Sequence, residues 1–146
     1  MNIKMLGLLL VSALAMAAPS QATAPLILAQ PVAVGKMKAT TIHAQTGAMI
    51  LDSIKIKPGG NFGWHTHGAP VAVVVTAGTL TVFDPSVGGC APFKVSKGQS
   101  FFEPANHLHL ARNDGAKPVT LYAMYLGVPK GKESNIPETA PAGCNA

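Results

Sequence analysis

Hydrophobic and polar residues alternate along most of the chain beyond residue 35, in short segments separated by turn-forming residues. Within Ala48–Lys57, for example, Ile54 and Ile56 fall on one face of an extended strand, whereas Lys55 and Lys57 fall on the other. The long 3.6-residue periodicity of an amphipathic helix is absent. The pattern predicts eight strands: Lys36–His43, Ala48–Lys57, Val71–Thr76, Thr79–Phe83, Phe93–Val95, Ser100–Glu103, His107–Asn113 and Val119–Gly127. Short strands with one apolar face predict an all-β jelly roll or barrel.

The first 22 residues have a different pattern, that of a secretory signal peptide. A charged start that includes Lys4 is followed by the apolar residues 6–18 and by Ser20-Gln21-Ala22, a small-x-small cleavage site. An uncleaved anchor is the weaker interpretation, because the apolar segment is too short and no second one follows. We therefore predict a periplasmic or secreted chain that starts near Thr23 and does not contact the membrane. It comprises a β-barrel domain, residues 23–127, and an irregular tail rich in Pro and Gly, residues 128–146.

The chain contains two cysteines, Cys90 and Cys144. An oxidising compartment lets such a pair persist as a disulfide. Cys144 lies in the Pro/Gly-rich tail, so a bridge to Cys90 would tie this tail to the barrel wall. The spacing matches no cysteine-based zinc motif, which favours a disulfide over two free thiols or a metal-binding thiol.

The formal net charge of +5 arises largely from lysines that are dispersed along the predicted strands. Alternate lysines on a strand are typical of a solvated face, and they protect sheet edges from pairing. Because no basic run is interleaved with aromatic residues, nucleic acid is not an expected partner. We expect a small-molecule ligand or substrate, and the positive charge would weakly attract an anionic one.

Three histidines are the candidate metal ligands that the sequence indicates. His65 and His67 are two residues apart, so in a strand both rings leave the same face of the sheet. They lie between Trp64 and the apolar run Val71–Val75, which indicates a buried strand. Buried imidazoles need hydrogen bonds or a metal ion, and neutral imidazole is a common ligand for zinc, iron, copper and nickel. With His109 they predict a site for one metal ion; the alternative is three core or rim residues without metal.

The chain resembles the cupin superfamily through two spaced motifs. The first cupin motif, G-x5-H-x-H-x3,4-E-x6-G, is matched at Gly59, His65, His67 and Gly78. The second, G-x5-P-x-G-x2-H-x3-N, is matched at Gly98, Pro104, His109 and Asn113. The motifs occur in the expected order within residues 59–113 of a chain already expected to be all-β, so the resemblance is specific.

The resemblance implies a cupin-type jelly-roll β-barrel with one divalent transition metal (Fe, Mn, Zn, Cu or Ni) held by His65, His67 and His109. It also implies a range of functions, of which an oxygenase-like reaction on a small molecule is the first expectation. Isomerase, lyase and decarboxylase chemistry lie within the family's range as well. The alternatives are a cupin that binds a metal or small ligand without turnover and a structural cupin without metal. Many cupins pair through their sheets, so a homodimer is compatible with the resemblance.

The chain departs from the cupin motifs at two positions. Val71 stands where the first motif carries glutamate, which leaves three histidines and no carboxylate at the expected ligand position. Three-histidine sites occur among metal cupins, including thiol and diketone dioxygenases, so this departure is compatible with metal binding. Asn106 stands where the second motif carries glycine, and asparagine tolerates the left-handed backbone conformation better than most residues.

Two polar residues beside the second motif are candidate catalytic residues. Glu103 would accept a hydrogen bond from a metal-bound histidine or act as a replacement acid–base group. His107 would share the face of His109 if that strand begins early enough. For both, a solvated rim position is an equally good interpretation. The fifth histidine, His43, lies outside both motifs and is expected at the surface or in the core. The aromatic residues are expected mainly in the barrel core: Trp64, Phe83, Phe101, Phe102, Tyr122 and Tyr125. For Tyr122 and Tyr125, in the last predicted strand, the alternative is a position lining the mouth of the barrel.

Overall fold

Nine β-strands organise the residues that the computed structural model describes, which are 29–144 and 146. The chain divides into two units, Met1–Gln30 and Pro31–Ala146. The predicted signal peptide belongs to the first unit and lies outside the described residues. The strands of the second unit are β1 (Ala48–Ile56), β2 (Asn61–Thr66), β3 (Val71–Ala77), β4 (Thr79–Phe83), β5 (Phe93–Ser96), β6 (Ser100–Glu103), β7 (His109–Arg112), β8 (Val119–Val128) and β9 (Ile136–Pro137). No helix in this part of the chain is long and apolar enough to cross a membrane.

The strands form two antiparallel sheets that share one hydrophobic core. One sheet has the order β1-β8-β3-β6, and the other has the order β5-β4-β7-β2-β9. Alternate residues of β3 and β8 are buried in the core, among them Val73 and Val75 from β3 and Leu121 and Ala123 from β8. Leu80 of β4 joins the same core from the other sheet. The protein is therefore an all-β jelly-roll barrel, as the alternating pattern predicts.

Seven of the eight predicted strands are confirmed, with ends that differ by at most two residues. The prediction for Lys36–His43 is wrong: this segment is exposed throughout, and only Lys36 forms an isolated bridge, to Gln99. Because none of its side chains is buried, packing does not offset the entropy lost on ordering a strand. Two of the nine strands are absent from the eight predicted. One is β2, for which the sequence indicated only a buried strand around His65 and His67 without bounds, and the other is β9, a two-residue strand in the tail that pairs with β2.

A disulfide joins Cys90 to Cys144, with their Cα atoms 5.5 Å apart. Both cysteines pack with Trp64, Phe83 and Leu110 in a second apolar cluster. Trp64 and Leu110 alternate along their strands with residues that face the barrel interior, so this cluster covers the opposite face of the five-stranded sheet. The bridge ties the tail to the barrel wall, as predicted, and it suggests folding in an oxidising compartment.

Candidate metal centre

Two neighbouring strands bring the three predicted histidines together. His65 in β2 is the register partner of His109 at the start of β7, and His67 directly follows the end of β2. One ring nitrogen from each histidine lies within 4.8 Å of the other two, and all three side chains are buried. The period-two spacing therefore places the rings of His65 and His67 on one face, beside the ring that β7 supplies.

The ring of each histidine is oriented by a backbone carbonyl. In each ring Nδ1 lies within hydrogen-bond distance of a carbonyl oxygen: that of Gly63 for His65 (2.9 Å), Ser134 for His67 (2.6 Å) and His107 for His109 (2.9 Å). Because a carbonyl oxygen only accepts, each Nδ1 carries a proton and donates it. In the neutral rings Nε2 is then left with its lone pair, and the three Nε2 atoms face a common space. Metal-binding histidines are oriented in this way in proteins.

Glu103, the last residue of β6, lies beside these nitrogens. Its Oε1 atom is 3.1 Å from Nε2 of His109, and its Oε2 atom is 3.3 Å from Nε2 of His67. The carboxylate is buried, and only 7% of the residue is exposed. Despite this proximity, Nε2 of His109 is not in hydrogen-bond geometry with any described group. A buried nitrogen without a hydrogen bond is costly, and a metal ion would satisfy it.

Burial and mutual contact set the protonation of the cluster. Burial, together with the charge of His109, lowers the pKa of His65 to about 4, so this ring is neutral at pH 7. Burial by itself would raise the pKa of Glu103, but the contacts with His109 and His67 lower it to about 2 and keep the carboxylate ionised. Burial opposes the charged form of His109, yet the carboxylate of Glu103 raises the pKa of His109 above its usual value.

The residues present fit a divalent transition metal. Three imidazole nitrogens suit zinc, iron, copper and nickel, and a neighbouring carboxylate also suits manganese. The orphaned Nε2 atom of His109 belongs to this donor set and lies next to the carboxylate of Glu103. The cluster has the composition and the spacing of a mononuclear metal site.

The cluster lines a cavity of about 290 Å³ inside the barrel. Its other walls include aliphatic side chains such as Val73, together with the polar residues Asp52, Tyr125 and Asn135. The ring of Tyr125 packs edge-on against that of His67, with the centroids 5.3 Å apart. Burial raises the pKa of Tyr125 to about 12, so its hydroxyl stays protonated at neutral pH. The cavity is at the small end of the usual range for small-molecule sites, which begins at about 300 Å³.

A larger groove, of about 470 Å³, lies elsewhere on the barrel and is lined by Lys36, Lys38 and Lys94. None of the predicted site residues lines it, and neither a histidine nor a carboxylate is among the described residues around it. It has no histidine or carboxylate that could bind a metal, so we assign the candidate site to the smaller cavity.

The family model for the cupin domain matches residues 53–125, which is half of the chain and includes the three histidines and Glu103. The chain belongs to the cupin superfamily. The resemblance that the two motifs indicate is thereby confirmed. A search of curated proteins finds no match to this cupin.

Solved structures of other proteins share the fold at low sequence identity. The DMSP lyase DddQ from Ruegeria pomeroyi DSS-3 is 17% identical, with a TM-score of 0.52 over 63% of this cupin and 44% of the lyase. The polyketide cyclase RemF from Streptomyces resistomycificus is 15% identical, with a TM-score of 0.53 over 68% and 66% of the two chains. Oxalate decarboxylase from Bacillus subtilis, with Mn(II) centers, is 14% identical, with a TM-score of 0.53 over 62% and 24%. This cupin spans less than two thirds of the length of each, and the likeness is one of fold.

This cupin site brings together four of the five predicted site residues and leaves out His107. The ring of His107 lies against Asp84, with Nε2 2.8 Å from Oδ2, and it does not line the cavity. Strand β7 begins only at His109, so the alternation that would align the two side chains does not extend back to His107. The condition for a shared face of His107 and His109 is therefore not met, and the contact of His107 with the cluster is through its backbone carbonyl. His43 is exposed and lies outside the cluster.

Three other residues of the cavity are not among the site residues predicted from the sequence. Ser134 orients His67 through its carbonyl, which any residue type supplies, so the sequence carried no signal for it. Asn135 follows Ser134 in a tail without strand periodicity, and its Oδ1 atom is buried without a hydrogen bond. Tyr125 was expected in the core, and it is both buried and part of the cavity wall. The sequence signal for Tyr125 was the period-two pattern of β8, which puts Tyr125 on the same buried face as Leu121 and Ala123.

The turn that contains Asn106 also supports the site. Asn106 has a φ of 58°, the left-handed conformation that the second cupin motif normally gives to glycine. Its N–H group donates a hydrogen bond of 2.7 Å to the carbonyl of His67. The departure from glycine thus keeps the turn and links it to the backbone of a candidate ligand.

Proposed function

We propose that this cupin is a metal-dependent enzyme that acts on a small molecule, with one divalent ion held by His65, His67 and His109. The supporting observation is that three imidazole Nε2 atoms, in rings oriented by backbone carbonyls, meet beside a small cavity. Ligands that are oriented before the ion binds lose little conformational entropy on binding it.

A divalent ion at this site would polarise a substrate oxygen or thiolate, or activate O2 or water. The chain itself holds the ligands and surrounds the substrate with aliphatic side chains, among them Val73 and Leu121. Tyr125 keeps its proton at neutral pH, so its hydroxyl is available to donate a hydrogen bond to a substrate oxygen. An oxygenase-like reaction is our first proposal, ahead of lyase, isomerase or decarboxylase chemistry.

Proteins of similar fold support a small molecule as the substrate class. The Ruegeria protein is a DMSP lyase, and the Streptomyces protein is a polyketide cyclase. The Bacillus subtilis oxalate decarboxylase has Mn(II) centers. These activities belong to those proteins, and together they favour a small substrate and a divalent metal for this cupin as well.

A non-catalytic cupin that binds a metal or small ligand is the second candidate. Burial favours it, because His65 and His67 are each 4% exposed and His109 is 2% exposed. A sequestering site holds its ion in closed coordination, whereas an enzyme needs a ligand position that exchanges with substrate. Water-proton relaxation of the Mn(II)-loaded protein separates the two: rapid exchange of a bound water supports an enzyme, and its absence supports sequestration.

We also propose that the chain is exported, to the periplasm or beyond the cell. The Cys90–Cys144 disulfide and the signal-like pattern of the first 22 residues support this. N-terminal sequencing of the protein recovered after cell fractionation tests it. We expect a start near Thr23 in the extracytoplasmic fraction, and an uncleaved chain in the cytoplasm would contradict export.

Elemental analysis tests the metal site directly. We expect near-stoichiometric metal in the wild type and in the control His43→Ala, whose side chain is exposed and outside the cluster. The double variant His65→Ala/His109→Ala should contain none. A wild type that takes up no Fe, Mn, Zn, Cu or Ni after reconstitution would contradict the proposal. Iron in the native protein would direct the first assays to O2 uptake.

A further inference from the structure

The carboxylate of Glu103 lies in the part of the barrel where the glutamate of the first cupin motif would place its own carboxylate. That motif carries its carboxylate at position 71, which is valine in this chain. Strands β3 and β6 are antiparallel neighbours, and their register pairs Val71 directly with Glu103. Directly opposed residues project from the same face of a sheet, with Cβ atoms about 4.5–5.5 Å apart. A carboxylate at position 103 therefore reaches the part of the barrel interior that one at position 71 would reach.

The distances from Glu103 to two of the three histidines match those between ligands of a single ion. Its two oxygens lie 3.1 Å from Nε2 of His109 and 3.3 Å from Nε2 of His67. Nitrogen and oxygen ligands bind divalent zinc at about 2.0–2.2 Å, so ligand atoms separated by octahedral or tetrahedral angles lie about 2.8–3.6 Å apart. Both separations fall within this range, and both involve the nitrogens that the backbone carbonyls leave free.

These contacts require a cation. Because Nδ1 of His67 and of His109 donates to a carbonyl, each neutral ring presents a lone pair on Nε2 to Glu103. An ionised carboxylate also only accepts, so the groups repel unless a proton or a metal ion lies between them. Within the described part of the chain, the ion-pair contacts of Glu103 are with these two histidines alone. A buried carboxylate without a cation is costly.

We propose that Glu103 is a fourth metal ligand, which β6 supplies in place of the carboxylate that the cupin motif puts on β3. This inference rests on the proposed metal function and specifies its ligand set. The carboxylate offsets one of the two positive charges of the ion, so the substrate need not supply that compensation. It also adds a hard oxygen donor, which raises the affinity for Mn(II) relative to that of a site made of three imidazoles alone. As a ligand, Glu103 is committed to the ion rather than to proton transfer.

Mn(II) binding to the metal-free protein, measured by electron paramagnetic resonance, tests the ligand role. We expect Glu103→Gln to weaken Mn(II) binding by more than about 100-fold, because losing a residue that only orients a ligand costs about 10–100-fold. The matched control is Glu138→Gln, which makes the same charge change at an exposed residue outside the cavity. Its Mn(II) affinity should equal that of the wild type.

A carboxylate swap tests whether position matters. In Val71→Glu/Glu103→Val the carboxylate returns to the position that the cupin motif prescribes, and we expect it to recover most of the affinity that Glu103→Gln loses. Infrared difference spectra of the wild type, with and without Mn(II), provide a readout that needs no variant. The chain has only six Asp and Glu residues, so a shift of one carboxylate stretching band on metal binding is resolvable.

Two results would overturn the fourth-ligand proposal while leaving the metal function intact. One is a folded Glu103→Gln variant that binds Mn(II) as tightly as the wild type. The other is a wild type that binds Mn(II) without any shift of a carboxylate band, which is decisive even if the variant does not fold. Failure of the wild type to bind any divalent transition metal would instead overturn the proposed function together with this inference.

Discussion

At the scale of single residues, the histidines of the cluster differ in protonation because their surroundings differ. His65 is buried near the charge of His109, and its pKa falls to about 4. His109 is also buried, but its contact with the carboxylate of Glu103 raises its pKa. Two residues of the same type that are register partners on neighbouring strands thus have pKa values shifted in opposite directions.

The stability of the metal-free protein is expected to pass through a maximum near pH 6.5. Below pH 6.5 His65 becomes protonated in the unfolded chain, whereas in the folded chain its ring stays neutral down to about pH 4. The free energy of unfolding therefore decreases as the pH is lowered through this range. Above pH 6.5 the stabilisation from the raised pKa of His109 is lost. Folding lowers the pKa of Glu103 from 4.5 to about 2, so the free energy of unfolding decreases further as the pH is lowered between these two values. Urea denaturation at a series of pH values measures the profile.

The exposed His43 is the control for this pH profile. The variant His43→Ala should keep the profile of the wild type, because its side chain is exposed in the folded chain. A wild type whose stability does not change between pH 6.5 and 4 would contradict the neutral, desolvated state of His65.

Replacing His107 is expected to leave the metal site intact. In His107→Gln the backbone carbonyl that accepts from Nδ1 of His109 is retained, and only the side-chain contact with Asp84 is altered. This contact is partly exposed, so the free energy of unfolding should change by about 1 kcal/mol or less. Metal content and urea denaturation measure the two quantities. Loss of the metal in a folded variant would show that the ring of His107 serves the site after all.

At the scale of strands and turns, Asn113 fastens the end of β7 to its neighbours. Its Nδ2 group donates to the carbonyls of Ile56 (3.0 Å) and Lys117 (2.9 Å), and its Oδ1 atom accepts from the N–H of Gly115 (2.9 Å). The side chain is almost fully buried, so removing it leaves polar groups without partners. The last residue of the second cupin motif therefore serves the fold and lies outside the cavity.

We expect Asn113→Ala to lower the free energy of unfolding by about 2–4 kcal/mol, since it removes three hydrogen bonds and leaves buried groups unpaired. The metal stoichiometry of the folded fraction should not change. Urea denaturation measures the loss, and Lys117→Ala is the control because its side chain is exposed and its carbonyl is kept. A loss no larger than that of the control would show that the Asn113 side chain does not fasten this turn.

The prediction of strands succeeded where one face of the strand is buried. In β3 and β8 alternate residues are buried in the core, so the period-two pattern records their packing. It failed for Lys36–His43, which has apolar residues but buries none of them. The list of predicted strands also lacks β2, which the sequence indicated only through the buried context of His65 and His67. It lacks β9 as well, whose two residues are held by pairing with β2 and are too few to form a pattern.

At the scale of the whole molecule, the disulfide connects the tail to the metal site. The tail carries β9, which pairs with β2, and Ser134, whose carbonyl orients the ring of His67. The bridge from Cys144 to Cys90, 54 residues apart in sequence, holds the far end of this segment. Releasing the tail would loosen both the pairing and the ring.

The variant Cys90→Ser/Cys144→Ser is expected to lose about 2–5 kcal/mol of folding free energy, because the unfolded chain is no longer constrained. Its metal affinity should fall by about 10–100-fold, the usual effect of disturbing a group that orients a ligand. Urea denaturation and Mn(II) titration measure the two losses. Reduction of the wild type should reproduce both, and reductant should not affect the variant. Unchanged Mn(II) affinity after complete reduction would show that the tail does not support the site.

Local spacing along the chain was sufficient for the fold class and for the three histidines. Period-two alternation reports directly on which face of a strand is buried, and His65 and His67 share a face in any regular strand. The order of the two motifs added His109, and the family match confirms the cupin resemblance on which that step depended.

The partners of those histidines depend on tertiary structure. Glu103 approaches His67 and His109 because the register of β3 and β6 places it opposite Val71, and no local pattern specifies a register between strands thirty residues apart. The ring of His107 turns away from the site because β7 begins two residues after it. The carbonyl of Ser134 reaches His67 only because the tail folds back along β2. Residue spacing along the chain identifies the candidate metal ligands. The groups that contact those ligands are determined by sheet register and by the paths of the loops, because both depend on packing across the whole barrel.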